Sequence, residues 1–316
     1  MKLVKSVAVN SRKKRSKIIS SKNLKKILWG LFRTALIFAI CFIILYPLFL
    51  RVVLSFRDVV DVHDPSVIWV TRNFTLHNYE LALMFMNFWD ALRGTFILSA
   101  VITILQILVC AIAGYSFARL KFKGQGIIFA LVIFTIVVPP QTTIISRYMT
   151  FLNFGPGSGV NILNTYWPFF ISAATGMGIK SGLFIYLYRQ FFRSMPKELE
   201  EAAMVDGAGV VKTFIRIIIP NATPMIITVA LFSFVWQWND MYYATLFAPT
   251  MDFLSINVVA LGAGVNWRIA GEYVDSNQVA LFVNAGMMLT ITPLIVMYLF
   301  MQKFFVEGIE RSGIVG

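Results

Sequence analysis

The sequence predicts an all-α membrane protein that crosses the bilayer six times, and three observations carry that prediction. Hydrophobic residues make up 58% of the 316 residues and charged residues only 14%, against about a quarter charged in a soluble domain. Long apolar runs recur along the chain, each near the ~20 residues with which a helix crosses about 30 Å of hydrocarbon. Lys and Arg gather between alternate runs, as they do on the cytoplasmic side of a bilayer. The ten-residue alternation of a membrane β-barrel is not evident.

Taken in order, residues 1–28 form a basic tail holding ten of the 28 Lys and Arg. The tail reads as a topology determinant lying near anionic headgroups. Its aromatic-free composition argues against nucleic acid as a partner. The first transmembrane segment, 29–56, has its apolar core at 29–50. It is too long for a signal-peptide core and no small-residue cleavage pattern follows, so it reads as retained. An extracytoplasmic loop at 57–90 carries Asp58, Asp61, Asp64, Glu80 and Asp90. A core domain at 91–303 holds further spans at 94–117, 126–146, 165–188, 222–242 and 278–301, and 304–316 is a short C-terminal tail. Twenty of the 28 basic residues then fall on one side, while only Arg51, Arg57, Arg72, Arg93, Arg147 and Arg268 fall on the other. Both termini are therefore expected in the cytoplasm. A last outer loop carries Asp252, Glu272 and Asp275. Cys41 and Cys110 both lie inside spans, so no disulfide framework is implied.

One loop breaks the apolar pattern. Between the fourth and fifth spans, the cytoplasmic segment 193–220 contains ELEEAAMVDGAGVVKTFIRIIIP. Ser194 is a plausible helix cap and Pro196 suits the first turn. Glu198, Glu200 and Glu201 fall near the helix start, where the dipole favours negative charge. Leu199, Ala202, Ala203 and Asp206 share a face by their spacing. Gly207 and Gly209 are placed to end the helix with positive φ. A second helix follows, with Phe214, Ile217 and Ile218 on one side and Lys212 and Arg216 on another, closed by Pro220. A helix lying on anionic lipid would lead with cations. This one leads with acids, and its alanines bury little area in lipid but permit close approach by protein.

Glu201-Ala202-Ala203, then Gly207 after three residues, then Ile217-Ile218-Ile219-Pro220 after nine more resembles the cytoplasmic signature of permease subunits of binding-protein-dependent ATP-binding-cassette importers. Ile219 departs from the family's leucine. The stretches FTLHNYELAL, AGYSFARLKFKG, YRQFFRSMPKELEEAA, WNDMYYATLF and MQKFFVEGIERSGIVG are similar to the carbohydrate subgroup, the maltose-transporter type of second permease. The resemblance covers about residues 30–316. It implies a type I importer permease fold in a bacterial inner membrane. It also implies a homologous second permease, two ATPases that hold ATP and Mg, an extracytoplasmic solute-binding protein and membrane lipid as partners. In that frame Glu201 contacts the ATPase, Ala202 and Ala203 allow close approach, Asp206 caps the turn, Gly207 is the joint, and Pro220 closes the loop. A sugar or oligosaccharide is the implied solute, with glycerol phosphate or a peptide as alternatives.

Nothing in the chain suggests a catalyst or a cofactor of its own. The string GMGIKSG at 176–182 lacks the glycine directly before Lys180 that a phosphate loop requires. His63 and His77 stand in an outer loop without a cysteine or histidine cluster, so no metal is expected. A secondary transporter would need acids deep in a span, and the predicted spans hold none. A membrane scaffold would leave the acidic loop without a role.

Weaker signals mark a pathway. Lys180 falls near mid-membrane, where a lysine faces a cavity, a partner or a counter-charge, or snorkels. Trp236, Asn239 and Asp240 share a face near the end of the fifth span. They suit a sugar site, but an interfacial aromatic belt accounts for Trp236, Trp238, Tyr242 and Tyr243 without any ligand and is the favoured reading of the tryptophans. Ala174, Gly178 and Gly182 repeat every four residues, which permits close helix contact. Pro139-Pro140 either kinks the third span or ends it. Gln106 and Asn284 are mid-span polar groups suited to helix–helix hydrogen bonds.

Overall fold

The computed structural model describes residues 21–64, 66, 69–157, 159–264 and 275–313, with side chains from Lys25 to Gly262 and from Asp275 to Gln302 within those ranges. Most of the basic tail (1–20), Arg268, Glu272 and the extreme C-terminus (314–316) lie outside the described residues. The first helix, α1 (Ser21–Ser55), runs unbroken through Pro47. Short helices α2 (Val59–Val62) and α3 (His77–Phe85) shape the loop that follows. The next long helix is α4 (Phe88–Arg119). After it come α5 (Gln125–Val137), α6 (Ile144–Leu152), α7 (Trp167–Ala174) and α8 (Ser181–Ser194). The 193–220 loop contains α9 (Glu198–Val205), α10 (Val210–Thr213), a π-helical turn Phe214–Ile218 and α11 (Ile219–Asn221). The chain ends in α12 (Thr223–Trp238), α13 (Tyr242–Phe247), α14 (Leu254–Gly264) and α15 (Ser276–Gly313). Among the described residues no strand forms; the only β pairing is two isolated bridges, Arg57 with Phe74 and Phe154 with Val160.

Helix α4 is the axis of the bundle and packs on α8, α12 and α7. Its sequence explains why. A Cβ on Gly114 would stand 2.5 Å from Tyr188 Cβ and 3.0 Å from Arg189 N, so only glycine lets α4 and α8 approach this closely. One core gathers Cys110, Tyr115, Phe184, Tyr188, Phe192 and Val229 near the 193–220 loop. A second gathers Met86, Phe88, Trp238, Leu254 and Phe282, where α15 packs on α3, α12 and α14. A third joins Ile102, Phe151, Phe169, Phe247 and Phe253. Helix α1 stands apart: its apolar stretch is wholly exposed and it meets the bundle through α15. Arg51 of α1 donates to Asn284 Oδ1 at 2.7 Å, so Asn284 does join two helices as expected.

The first, second and sixth predicted spans are single helices. The third and fourth are not. Helix α5 stops at Val137, the chain turns extended at Val138 and Pro139, and a 3-10 turn Pro140–Thr142 leads into α6. Two adjacent prolines remove two donors and push the preceding residue out of helical geometry. Pro139-Pro140 is thus a helix end rather than a kink. The fourth predicted span stops at Ala174 and resumes at Ser181. Ala174, Gly178 and Gly182 therefore share no helix face. Gly178 and Gly182 still mark close contacts: a Cβ on Gly178 would lie 2.8 Å from Gln106 Nε2, and one on Gly182 would collide with Thr135 Oγ1. Among the described residues, three helical stretches are long and apolar enough to cross a membrane: Lys25–Ser55, Phe88–Arg119 and Ser276–Gln302. A fourth arises if Val210–Asn221 and Thr223–Trp238, bent by 76° just after Pro220, count as one.

Candidate functional site

Among the places that set polar groups against the apolar bundle are the 193–220 loop and the break between α7 and α8. In the loop, Ser194 ends α8 and donates to Phe191 O, while Lys197 stands at the start of α9 without a side-chain cap. Ser194 is therefore not the cap of α9, because Pro196 forces Met195 to an extended ψ of 142° and separates the two helices. Glu200 turns inward. Its Oε1 lies 2.8 Å from Arg119 Nε, both side chains are nearly buried, and Arg119 Nη2 also donates to Met195 O at 2.7 Å. This ion pair, tying α9 to the end of α4, was not legible in the sequence, where both residues read as ordinary helix-end charges.

Helix α9 does not present its alanines together. Ala203 faces inward and is 4% exposed, while Ala202, Glu201 and Asp206 face outward. Consecutive residues in a helix are turned about 100° apart, so Ala203 follows the inward Glu200 one turn on. Leu199, Met204 and Val205 are exposed on the remaining sides of the helix, Val205 at 87%. The helix ends as its sequence indicates. Gly207 has φ +76°, its N–H bonds Met204 O at 3.0 Å, and Ala208 N–H bonds Ala203 O at 2.9 Å. That is the Schellman arrangement. Asp206 contributes its backbone N–H to Ala202 O at 3.1 Å. Gly209 is extended, with φ −72°, contrary to the expected positive φ, because it opens α10 rather than closing α9. The second half of the loop is anchored by aromatic contacts of Phe214 with Tyr115 (4.7 Å) and Phe192 (6.4 Å). Val211 and Ile215 remain exposed. At the root of the loop lies a basic cleft of about 530 Å³, lined in part by Lys121, Arg189, Arg193, Lys197 and Glu201.

The break at 175–180 is held by a polar knot. Gln106 of α4 donates to Ile179 O and Ser181 Oγ, both at 2.8 Å, and accepts from Ser233 Oγ at 2.5 Å. Gln106 thus makes the helix–helix bonds expected of it. Arg147 of α6 clamps the other side, donating to Ser172 Oγ at 2.8 Å and Met177 O at 3.2 Å, with its guanidinium over the Tyr243 ring. Lys180 sits at the first position before α8 with φ +58°. Depth along one continuous helix therefore does not apply to it. Its Nζ lies 5.9 Å from the Trp236 ring, beside a cavity of about 320 Å³. The cavity is also lined by Thr143, Arg147, Ser181 and Tyr243.

The structure separates the other expected pathway residues. Trp236 stacks on Phe184 and Phe232 and joins Lys180 rather than its sequence neighbours. Asn239 is exposed and spends its amide on Val235 O. Asp240 Oδ1 accepts from Tyr243 N at 3.1 Å, starting α13. Trp238 is 1% exposed and donates Nε1–H to Thr290 O, so it is a core residue and not part of an interfacial belt.

A helical bundle with exposed apolar helices and a capped, amphipathic loop pinned between two of its segments is the build of a membrane transport subunit, a permease. The chain belongs to the family of binding-protein-dependent transport system inner membrane components, which matches residues 106–311. It is thereby a multi-pass inner-membrane protein. It is 30% identical to the melibiose/raffinose/stachyose import permease protein MelC of Bacillus subtilis (strain 168), over 80% of this chain and 86% of that one. It is 28% identical to the maltodextrin transport system permease protein MdxG of the same organism, over 94% of this chain and 99% of that one. The fold matches a chain in the crystal structure of a bacterial ABC transporter involved in the import of the acidic polysaccharide alginate. There the TM-score is 0.71 at 18% identity, covering 89% of this chain and 98% of that chain.

Proposed function

We propose that this permease forms half of the translocation pathway for a sugar or oligosaccharide in an ATP-driven importer. The other half is a homologous second permease. Two ATPase subunits that bind ATP and Mg supply the energy, an extracytoplasmic binding protein delivers the solute, and membrane lipid surrounds the bundle. The chain itself is non-catalytic. It crosses the membrane six times, two of the crossings being built from broken segments, with both termini in the cytoplasm. Segment 193–220 docks on the ATPase: Leu199, Met204 and Val205 enter its groove, Glu201 and Asp206 rim the contact, Ala202 permits close approach, Ala203 and Gly207 set the shape of the helix end, and Pro220 turns the chain back into the bundle.

The observation that carries this reading is the pinned loop. Its apolar side chains point away from the bundle, while the buried Arg119–Glu200 pair fixes its base. An exposed apolar face on a rigid support is suited to transmit a rigid-body motion between discrete states. The sugar import named for MelC and MdxG supports the solute class. The test is solute-stimulated ATP hydrolysis by the reconstituted four-subunit complex with its binding protein, across neutral and acidic oligosaccharides, glycerol phosphate and peptides. Stimulation by an oligosaccharide is expected. Stimulation by a peptide or glycerol phosphate alone would remove the sugar assignment, and uptake by this chain without ATPases would remove the importer reading.

A further inference from the structure

We propose that the cavity at the helix break binds a sugar bearing an anionic group, a carboxylate or sulfate, and that Lys180 reads that charge. The inference rests on the sugar-importer reading and deepens it by naming the class of sugar. Two cations line the cavity and no carboxylate does. The two are not equivalent. Arg147 is committed to Ser172 Oγ and Met177 O, covers Tyr243, and has Asp240 within electrostatic reach. Lys180 has no ion pair and no hydrogen bond from its side chain among the described residues; its contact is the Trp236 ring.

A lysine on an apolar segment of a membrane protein is costly unless it meets a counter-charge, a polar partner or water. A cation–π contact at this distance offsets only part of that cost. The backbone of Lys180 is also held in the left-handed region, uncommon for a residue with a side chain, and such outliers persist where surrounding structure enforces them. The enforcement is visible: Gln106 holds Ile179 O and Ser181 Oγ on either side of Lys180. The lysine is thus fixed in a rare conformation and directed at a cavity with no acid in its wall. Trp236 is stacked on Phe184 and Phe232, so it steadies the lysine beside the cavity rather than offering a face of its own. Gln237, 4% exposed with its Nε2 unpartnered, borders an adjoining small void that shares Arg147, Gly178, Ile179 and Tyr243 with the cavity. A buried unpartnered donor and a free cation, with no acid in the wall, suit an acidic sugar better than a neutral one.

The experiment uses the complete importer in proteoliposomes, with the same binding protein throughout. Uptake is measured for digalacturonate, for the neutral digalactoside and for glycerol phosphate, with the native chain, Lys180→Gln and Lys180→Arg. The native importer is expected to take up the uronate. Lys180→Gln is expected to lower the ratio of uronate to neutral uptake about tenfold, the scale of one lost charge-assisted hydrogen bond, and Lys180→Arg to keep it. An unchanged ratio in Lys180→Gln, or native uptake of the neutral sugar alone, overturns the proposal while leaving sugar import standing. Uptake of glycerol phosphate without either sugar overturns both. Should Lys180→Gln fail to assemble with the second permease while Lys180→Arg assembles, the counter-charge belongs to that subunit and the proposal falls.

Discussion

Glu200 in the 193–220 loop and Lys180 at the helix break are both charges that stand against apolar helices, yet their surroundings are opposite. Glu200 is turned into the bundle and paired at 2.8 Å with Arg119. Lys180 is turned out of it, with an aromatic ring as its only side-chain contact among the described residues. The acid therefore builds the loop, and the exposed apolar residues around it are left to meet a partner. The lysine builds nothing within the chain, and the polar groups around it build the break. A charge that the fold uses is buried and paired; Lys180, which the fold does not pair, is free for the proposed anionic sugar.

The strongest way to break this comparison is at the paired end. Glu200→Ala is expected to destabilise the bundle by about 3 kcal/mol, the cost of stranding a buried partner, measured as a lower unfolding midpoint of the purified permease in detergent. Replacing both members, Arg119→Leu with Glu200→Leu, should recover most of that loss. A single variant as stable as the native chain would show that the pair is ornamental. Next in size is the joint that follows α9. Gly207→Ala places a side chain at φ +76° and should cost about 1–2 kcal/mol, loosening the loop end and lowering solute-stimulated ATP hydrolysis. Gly209→Ala, at φ −72°, is expected to be tolerated, and equal effects at the two glycines would contradict the cap.

The smallest effect lies in the loop between α1 and α4, where another buried acid is held chiefly by amide hydrogen bonds. Asp61 is 3% exposed and accepts from the backbone of Asn73 (2.8 Å) and Arg72 (2.7 Å) and from Asn73 Nδ2 (2.7 Å). The Asn73 backbone N–H above all, with the Asn73 amide and Arg72 N–H, holds its carboxyl below the usual range despite the opposing effect of burial. A depressed folded pKa means that Asp61 stabilises the loop fully above its unfolded value of about 3.9, and that this contribution is lost as pH falls through the folded value. Amide exchange at Arg72 and Asn73 should therefore accelerate below about pH 4, and Asp61→Asn should remove that acid dependence without altering the docking loop.

Much of the fold was legible. Unbroken apolar length announced α1, α4 and α15, because a helix long enough to cross hydrocarbon has no other way to satisfy its backbone there. The docking loop was legible as an acidic, glycine-jointed element because caps are local chemistry, and Gly207 adopts the conformation its position predicted. The third and fourth spans misled. No charged residue interrupts them at 138–143 or 175–179, but two prolines end one helix and a tertiary knot around Gln106 holds the other apart. Trp238 misled as well: beside polar residues it read as an interface residue, and only the packing of α15 against α12 covers it.

By itself, the sequence determined that this chain lives in a bilayer, that it is helical, and that one loop carries a partner-facing signature, because hydropathy, helix caps and residue spacing act over a few turns of chain. Tertiary structure alone decided which charges are spent and which are free. Arg119 with Glu200, Gln106 with Ser181 and Lys180 with Trp236 are pairs separated by dozens of residues, and the energy of a charge depends on what stands within a few ångströms of it in space.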